Sequence, residues 1–162
     1  YIKSYSKNYG MEYTIFRLFN VYGSTQDTQW VLPEFVDKAI SDKQISVHSD
    51  GSQVRAFCYV SDVADAFQSV LETANGEIIN VGNDNNPISI KELAEKIISL
   101  TNSQSEIEFV PFEESNRNRT EIMKRIPDIS KAKKILNYSP KITLDEGIEK
   151  VAKHRQKINS DK

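Results

Sequence analysis

The sequence is poor in the residues that build most self-contained catalytic sites. It holds one cysteine, two histidines and six glycines in 162 residues. The lone Cys58 excludes an internal disulfide. His48 and His154 are far apart, with no cysteine or carboxylate cluster at ligand spacing, so no zinc site can be assembled from the usual four ligands. Gly10, Gly23, Gly51, Gly76, Gly82 and Gly147 are too scattered for a dinucleotide fingerprint or a P-loop. No Tyr stands four residues before a Lys, and neither Gly-x-Ser-x-Gly nor His-Glu-x-x-His occurs. No apolar run approaches the roughly 20 residues of a membrane span. The first residues do not read as a signal peptide, so a reducing cytoplasm is the expected compartment and no membrane is expected as a partner. Charge of one sign is also missing. With 21 Lys+Arg and 23 Asp+Glu the net charge is −2, which argues against nucleic-acid binding through a basic surface.

What is present reads as one ordinary soluble domain, 38% hydrophobic and 27% charged. Strands and helices interleave, giving an α/β fold class. Tyr1 to Tyr9 reads as the end of a helix stopped by Gly10. Tyr13 to Arg17 reads as a strand, and Phe19 to Trp30 as a long loop. Leu32 to Ile40 is a helix by its apolar spacing. Ile45 to Val47 and Ala56 to Tyr59 are strands. Ser61 or Asp62 is the expected cap of a helix whose buried stripe is Val63, Ala66, Phe67 and Val70. Glu77 to Val81 and Glu106 to Val110 are strands. Ser89 to Glu92 and Thr143 to Glu146 are capping boxes, each opening a helix. The last helix is expected to reach about His154, with a polar tail beyond it. Ser130 to Leu136 is a short helix, and Glu113 to Glu121 a polar loop. Cys58, inside an apolar run, reads as a small core residue.

The polar residues that could carry chemistry stand at loop edges. Asn20 follows a strand and can present an amide to a ligand. Arg55 follows a turn, where its fork can hold a phosphate with two hydrogen bonds. Arg117 and Arg119 lie in the polar loop. Arginines from separate loops could converge on a diphosphate. His48, at a strand end, could stack on a base.

Several segments then resemble, in order, one family. Arg17-Leu-Phe-Asn-Val-Tyr-Gly23 resembles R-x-F-N-V-Y-G of the NAD-dependent epimerase/dehydratase family, the extended short-chain dehydrogenases acting on nucleotide sugars. Leu32-Pro-Glu-Phe35 resembles its helix start. The run from Ser49 to Asp62 resembles G-D-G-x-Q-x-R-x-F-x-Y-V-x-D, and Asn80-Val-Gly82 resembles N-x-G. The stretch from Arg125 to Leu136, with Pro140 and Leu144-Asp-Glu-Gly147, resembles the closing R-x-P-D-I-S-K-A-K-x-x-L…P…L-x-E-G.

The resemblance implies the C-terminal part of an extended short-chain dehydrogenase, the end of a Rossmann sheet plus a small mixed α/β substrate-binding domain. Residues 1–23 are then the tail of the Rossmann domain, 24–158 mostly the substrate-binding domain, and 159–162 a frayed tail. It implies no catalytic residue in this chain, the Tyr and Lys of the pair being expected upstream of Tyr1. NAD is the implied cofactor, bound mainly by that missing N-terminal half, with Leu18 and Phe19 near the nicotinamide. For a nucleotide-diphosphate sugar the implied contacts are Asn20, the backbone of Val31 and Leu32, Val47 and His48 beside the base, Arg55 on the diphosphate, Arg117 or Arg119 as a second arginine, and Glu121 on the ribose. Asp62 is expected to cap a helix and not to touch ligand.

There are departures from the family pattern. Ser49 stands where the family has Gly, which predicts an altered turn. Ala56 replaces a frequent Asp, and Trp30 occupies a position often polar. The implied activity of the parent is UDP-sugar 4-epimerisation through a 4-keto intermediate. UDP-glucuronate decarboxylation and dTDP-glucose 4,6-dehydration are the alternatives, together with a non-catalytic nucleotide-binding fragment. The intact enzyme is expected to be a homodimer, and the chain alone to be inactive.

Overall fold

The fold is set by where apolar residues alternate and where helices can be capped. The computed structural model describes residues 1–70, 73, 75–111 and 122–160. Helix α1 (Ile2–Tyr9) ends at Gly10, whose φ of 66° lets its N–H reach the Ser6 carbonyl. No residue of α1 is buried. Strand β1 (Thr14–Leu18) pairs in parallel with β6 (Glu77–Val81), from Thr14 opposite Glu77 to Leu18 opposite Val81. Helices α3 (Val60–Val70) and α5 (Ser130–Leu136) pack beside this pair. They form a core cluster that includes Val63, Ala66, Ile79, Val81, Ile129 and Leu136.

A second cluster fills the space between α2 (Val31–Ala39), α4 (Ile90–Thr101) and α6 (Leu144–Ser160). Strand β3 (Ile45–His48) runs parallel to β8 (Ile107–Val110) beneath these helices. Leu32, Phe35, Leu93, Ile97 and Ile148 are its large members. The two clusters meet at β2 (Val21–Tyr22) and β5 (Cys58–Tyr59), which pair in parallel. Neighbouring residues of a strand face opposite sides. Accordingly Cys58, with Val21 against it, belongs to the first cluster, and Tyr22 to the second. A last small sheet has β4 (Val54–Arg55) in its centre. β7 (Ile88–Ser89) lies antiparallel on one side and β9 (Lys124–Arg125) parallel on the other.

Both expected capping boxes form. Ser89 N–H and Oγ donate to the Glu92 carboxylate, at 2.9 and 2.7 Å, while Glu92 N–H donates to Ser89 Oγ. Thr143 and Glu146 repeat the arrangement. These hydrogen bonds hold both glutamate carboxyls below their ordinary value of 4.5.

Other expectations are corrected. The loop from Phe19 to Trp30 contains β2, the strand expected over Ala56 to Tyr59 is only β5 at Cys58–Tyr59, and a separate strand, β4, precedes it at Val54–Arg55. Helix α6 runs past His154 to Ser160, so residues 159 and 160 of the expected frayed tail are helical. Lysine, arginine and glutamine there are good helix formers, and Arg155 anchors the stretch. Asp62 does not cap from outside α3. It lies in the first turn, buried, and accepts from the N–H groups of Lys141 at 3.1 Å and Ile142 at 3.2 Å. Phe67, expected in the buried stripe, is half exposed and stacks edge-on against Phe16. The expected polar loop from Glu113 to Glu121 lies outside the described residues.

Candidate functional site

In open parallel sheets, ligands bind beyond the carboxyl ends of the strands. Here β1 and β6 end together, at Leu18 and Val81. Phe19 N–H donates to the Val81 carbonyl at 3.0 Å, which fixes the turn that follows. Leu18 is half exposed at this end. Asn20 comes next, with φ of 38°, a left-handed backbone that asparagine tolerates better than most residues. Its Nδ2 donates to the Ala56 carbonyl at 3.0 Å, and its own carbonyl accepts from Cys58 N–H. Among the described residues one Nδ2 hydrogen and the amide oxygen remain for a ligand.

The bond to Ala56 places Asn20 next to Arg55. Arg55 stands half buried in the central strand β4. Its Nη1 donates to its neighbour Val54's carbonyl at 2.9 Å and lies 3.5 Å from the Met123 carbonyl. The register sets Arg55 opposite Arg125 in β9 and opposite Ile88 in β7. Paired residues of adjacent strands lie about 5 Å apart on one face. The two arginines therefore stand at neighbouring positions on one sheet face, and Arg125 is exposed. Like charges on paired residues are unfavourable in isolation and can serve a shared anion. Arg125 was visible in the sequence only as the first residue of the closing motif. The strand pairing that gives it a role joins positions far apart in the chain.

Val31 and Leu32 open α2, where the first N–H groups of a helix have no acceptor of their own and the dipole favours an anion. The Leu32 side chain is buried in the core and Val31 packs against it, so both offer only backbone outward. Trp30, just before them, makes no side-chain cap and is half exposed. Val47 has no accessible surface and packs in the second cluster. His48 ends β3 half buried, with Nδ1 buried and without a hydrogen-bond partner among the described residues. Arg117, Arg119 and Glu121 lie outside the described residues.

The departure at Ser49 does not remove the turn. Ser49 keeps a left-handed φ of 57°, and its N–H donates to the Val110 carbonyl at 2.8 Å. That conformation is strained for an L side chain and free for glycine. Ser49→Gly is expected to stabilise the chain by roughly 0.5–1 kcal/mol after the entropy cost of glycine is deducted, read as a higher urea midpoint. A lower midpoint would show that Ser49 carries no strain.

Cys58 has no catalytic character. It is fully buried, and burial pushes its thiol up to about 11 despite a contact with the Tyr138 hydroxyl. A cleft of about 240 Å³ opens between Asn83, Asn85 and Asn86 and the segment from Pro140 to Leu144. None of the residues expected from the sequence lines it. No group of His, Cys, Asp or Glu able to hold a metal ion is found among the described residues. None of the described helices is long and apolar enough to cross a membrane.

With this geometry in hand, the likeness to known proteins is specific. The model of the NAD dependent epimerase/dehydratase family matches residues 1–82. The UDP-N-acetyl-alpha-D-glucosaminuronate decarboxylase of Bacillus cytotoxicus is 36% identical over 157 residues, covering 94% of this chain and 49% of the relative. The UDP-glucose 4-epimerase of Thermotoga maritima, solved with UDP-glucose, superposes with a TM-score of 0.89 at 27% identity, covering 98% of this chain and 50% of that one. The UDP-glucuronic acid 4-epimerase of Bacillus cereus, solved with UDP-glucuronic acid and NAD, gives 0.85 at 27% identity, covering 96% and 49%. The chain thus spans about half the length of these relatives. The ordered motifs, the strand ends and these likenesses agree, and the chain belongs to the NAD dependent epimerase/dehydratase family.

Proposed function

We propose that this chain grips the nucleotide diphosphate of a UDP-sugar for an NAD-dependent enzyme that works through a 4-keto sugar, with C4 epimerisation as the parent's activity. The observation that carries the reading is the register of Arg55 against Arg125, with Asn20 bonded beside them. Two forks on one sheet face suit the paired negative charges of a diphosphate. The N–H groups at the start of α2 add donors without adding charge. Val47 and His48 border the base, Val47 through its backbone. Arg117 or Arg119 adds a further cation, and Glu121 holds the ribose.

On this reading residues 1–23 complete a Rossmann sheet and residues 24–158 hold the substrate. NAD, when bound, would supply the hydride acceptor and donor for this chemistry. The residues here fit one edge of a nicotinamide site: half-exposed Leu18 and the tethered Phe19 stand at the carboxyl ends of β1 and β6. A second reading, decarboxylation of a UDP-uronate, is favoured by the name of the Bacillus cytotoxicus relative.

Titration of the chain with UDP by calorimetry tests the grip. Arg55→Ala is expected to lose about 1.5–3 kcal/mol of binding, or roughly ten- to a hundred-fold in affinity. Arg125→Ala should lose a similar amount. Unchanged affinity in both variants would remove the diphosphate from this sheet.

A further inference from the structure

Arg155 is out of character with its surroundings. Its neighbours on α6, Lys153, Gln156 and Lys157, are exposed, while its own side chain is only 16% exposed. Burying a guanidinium is costly unless its donors are matched. Nη1 donates to Asp37 Oδ2 at 2.7 Å, and Nη2 donates to the carbonyl of Gln26. One side chain thus joins three parts of the fold: the C-terminal helix, the last turn of α2 and the loop that leads into α2.

The loop carries that restraint forward to the candidate site. Gln26 N–H donates to the Gly23 carbonyl and its Nε2 to the Val21 carbonyl, at 3.2 and 3.0 Å. Gln29 N–H then donates to Asp27 Oδ1 at 3.0 Å, and Trp30 N–H lies 3.4 Å from the Asp27 carbonyl. The bonds of Gln26 tie the point Arg155 holds back to Gly23 and Val21, and the next residue, Asp27, takes the bonds of Gln29 and Trp30 that lead to the first N–H groups of α2. Because Arg155 also holds Asp37 on α2, it fixes the angle at which the loop enters that helix. Gln26 Oε1 and Arg155 Nε, an acceptor and a donor, are both buried without partners among the described residues, and the clamp is made by the two bonds Arg155 forms there.

We propose that Arg155 is a positioning residue, whose bonds to the Gln26 carbonyl and Asp37 hold Trp30 and the start of α2 in place for the sugar-nucleotide. The proposal rests on the reading of α2's first turn as part of that site. Arg155 touches no ligand itself.

The sequence supplies its own probe, because Trp30 is the sole tryptophan. The experiment compares the full chain with Arg155→Met, Arg155→Lys and Asp37→Asn. It reads Trp30 fluorescence anisotropy and acrylamide quenching without ligand, then UDP affinity by calorimetry. Arg155→Met and Asp37→Asn are expected to lower the anisotropy, increase quenching and weaken UDP roughly three- to ten-fold. Arg155→Lys, which keeps the charge without the fork, should recover part of both signals. Should Arg155→Met fail to fold, Asp37→Asn carries the test. Unchanged Trp30 signals in the folded variants would overturn the clamp. Lowered anisotropy with undiminished UDP affinity would overturn its link to the site. A wild-type chain that does not bind UDP would overturn the proposed function, while the ligand-free fluorescence still decides whether Arg155 holds the loop.

Discussion

Gly147→Ala is expected to cost the chain about 3 kcal/mol or more, enough to unfold a marginally stable domain. A Cβ at this position would fall on the hydroxyl oxygen of Tyr22 and within 2.6 Å of its Cζ. Neither partner can yield easily. Gly147 lies in the first turns of α6, which the Thr143–Glu146 capping box fixes. The Tyr22 ring is only 3% exposed and is met edge-on by Phe57 and Tyr59, with centroids 6.2 and 5.4 Å away. Close-packed interiors absorb such an insertion only by shifting backbone. Thermal or urea unfolding followed by circular dichroism measures the loss. Tyr22→Phe removes the hydroxyl and should recover part of the loss in the double variant, a non-additivity that identifies the clash. An alanine variant as stable as wild type would show that α6 does not need to approach β2 this closely.

Asp62→Ala is expected to cost about 2–5 kcal/mol, because it leaves two amide groups without their acceptor. The carboxylate is 2% exposed and spans 79 and 80 positions to reach the N–H groups of Lys141 and Ile142. Those residues lead directly into the capping box of α6, so the loss should spread to that helix. Lys141→Ala is the matching control. Its ammonium pairs with Asp65 at 2.8 Å, but the side chains are 73% and 50% exposed, and an exposed pair contributes little. Equal unfolding midpoints for Asp62→Ala and wild type would remove Asp62 from the framework.

Local signals in the sequence suffice where the structure depends on near neighbours in the chain. β6 and α5 have the expected bounds, both capping boxes form, and Gly10 stops α1. The misses share a cause. β2, β4 and β9 are two residues long each, too short for an alternating pattern, and exist because a distant strand pairs with them. Asp62 looked like a cap because capping is a short-range habit of aspartate, whereas its partners lie across the fold. Arg155 sat in a run of polar helix formers that gives no hint of a buried guanidinium. The candidate site was legible as residue types at loop edges, namely Asn20, Arg55 and the start of α2. The adjacency of Arg55 and Arg125 was not, since strand register is a property of the folded chain. At Ser49 the departure was visible, but the left-handed turn survives because the Val110 carbonyl holds its N–H.

The same long-range pairing governs how the molecule can assemble. Thr14 meets Glu77, Ile45 meets Ile107, and Tyr22 reaches Leu144. Each closure encloses a stretch of chain that another closure also uses. The pairing of β2 with β5 can close within residues 21–59, and that of β1 with β6 within residues 14–81, but the contact of Tyr22 with Leu144 needs nearly the whole chain. Chains dominated by such non-local contacts fold in milliseconds to seconds, where helical bundles take microseconds to milliseconds. Parallel strands joined across dozens of residues place this chain toward the slow end of that range.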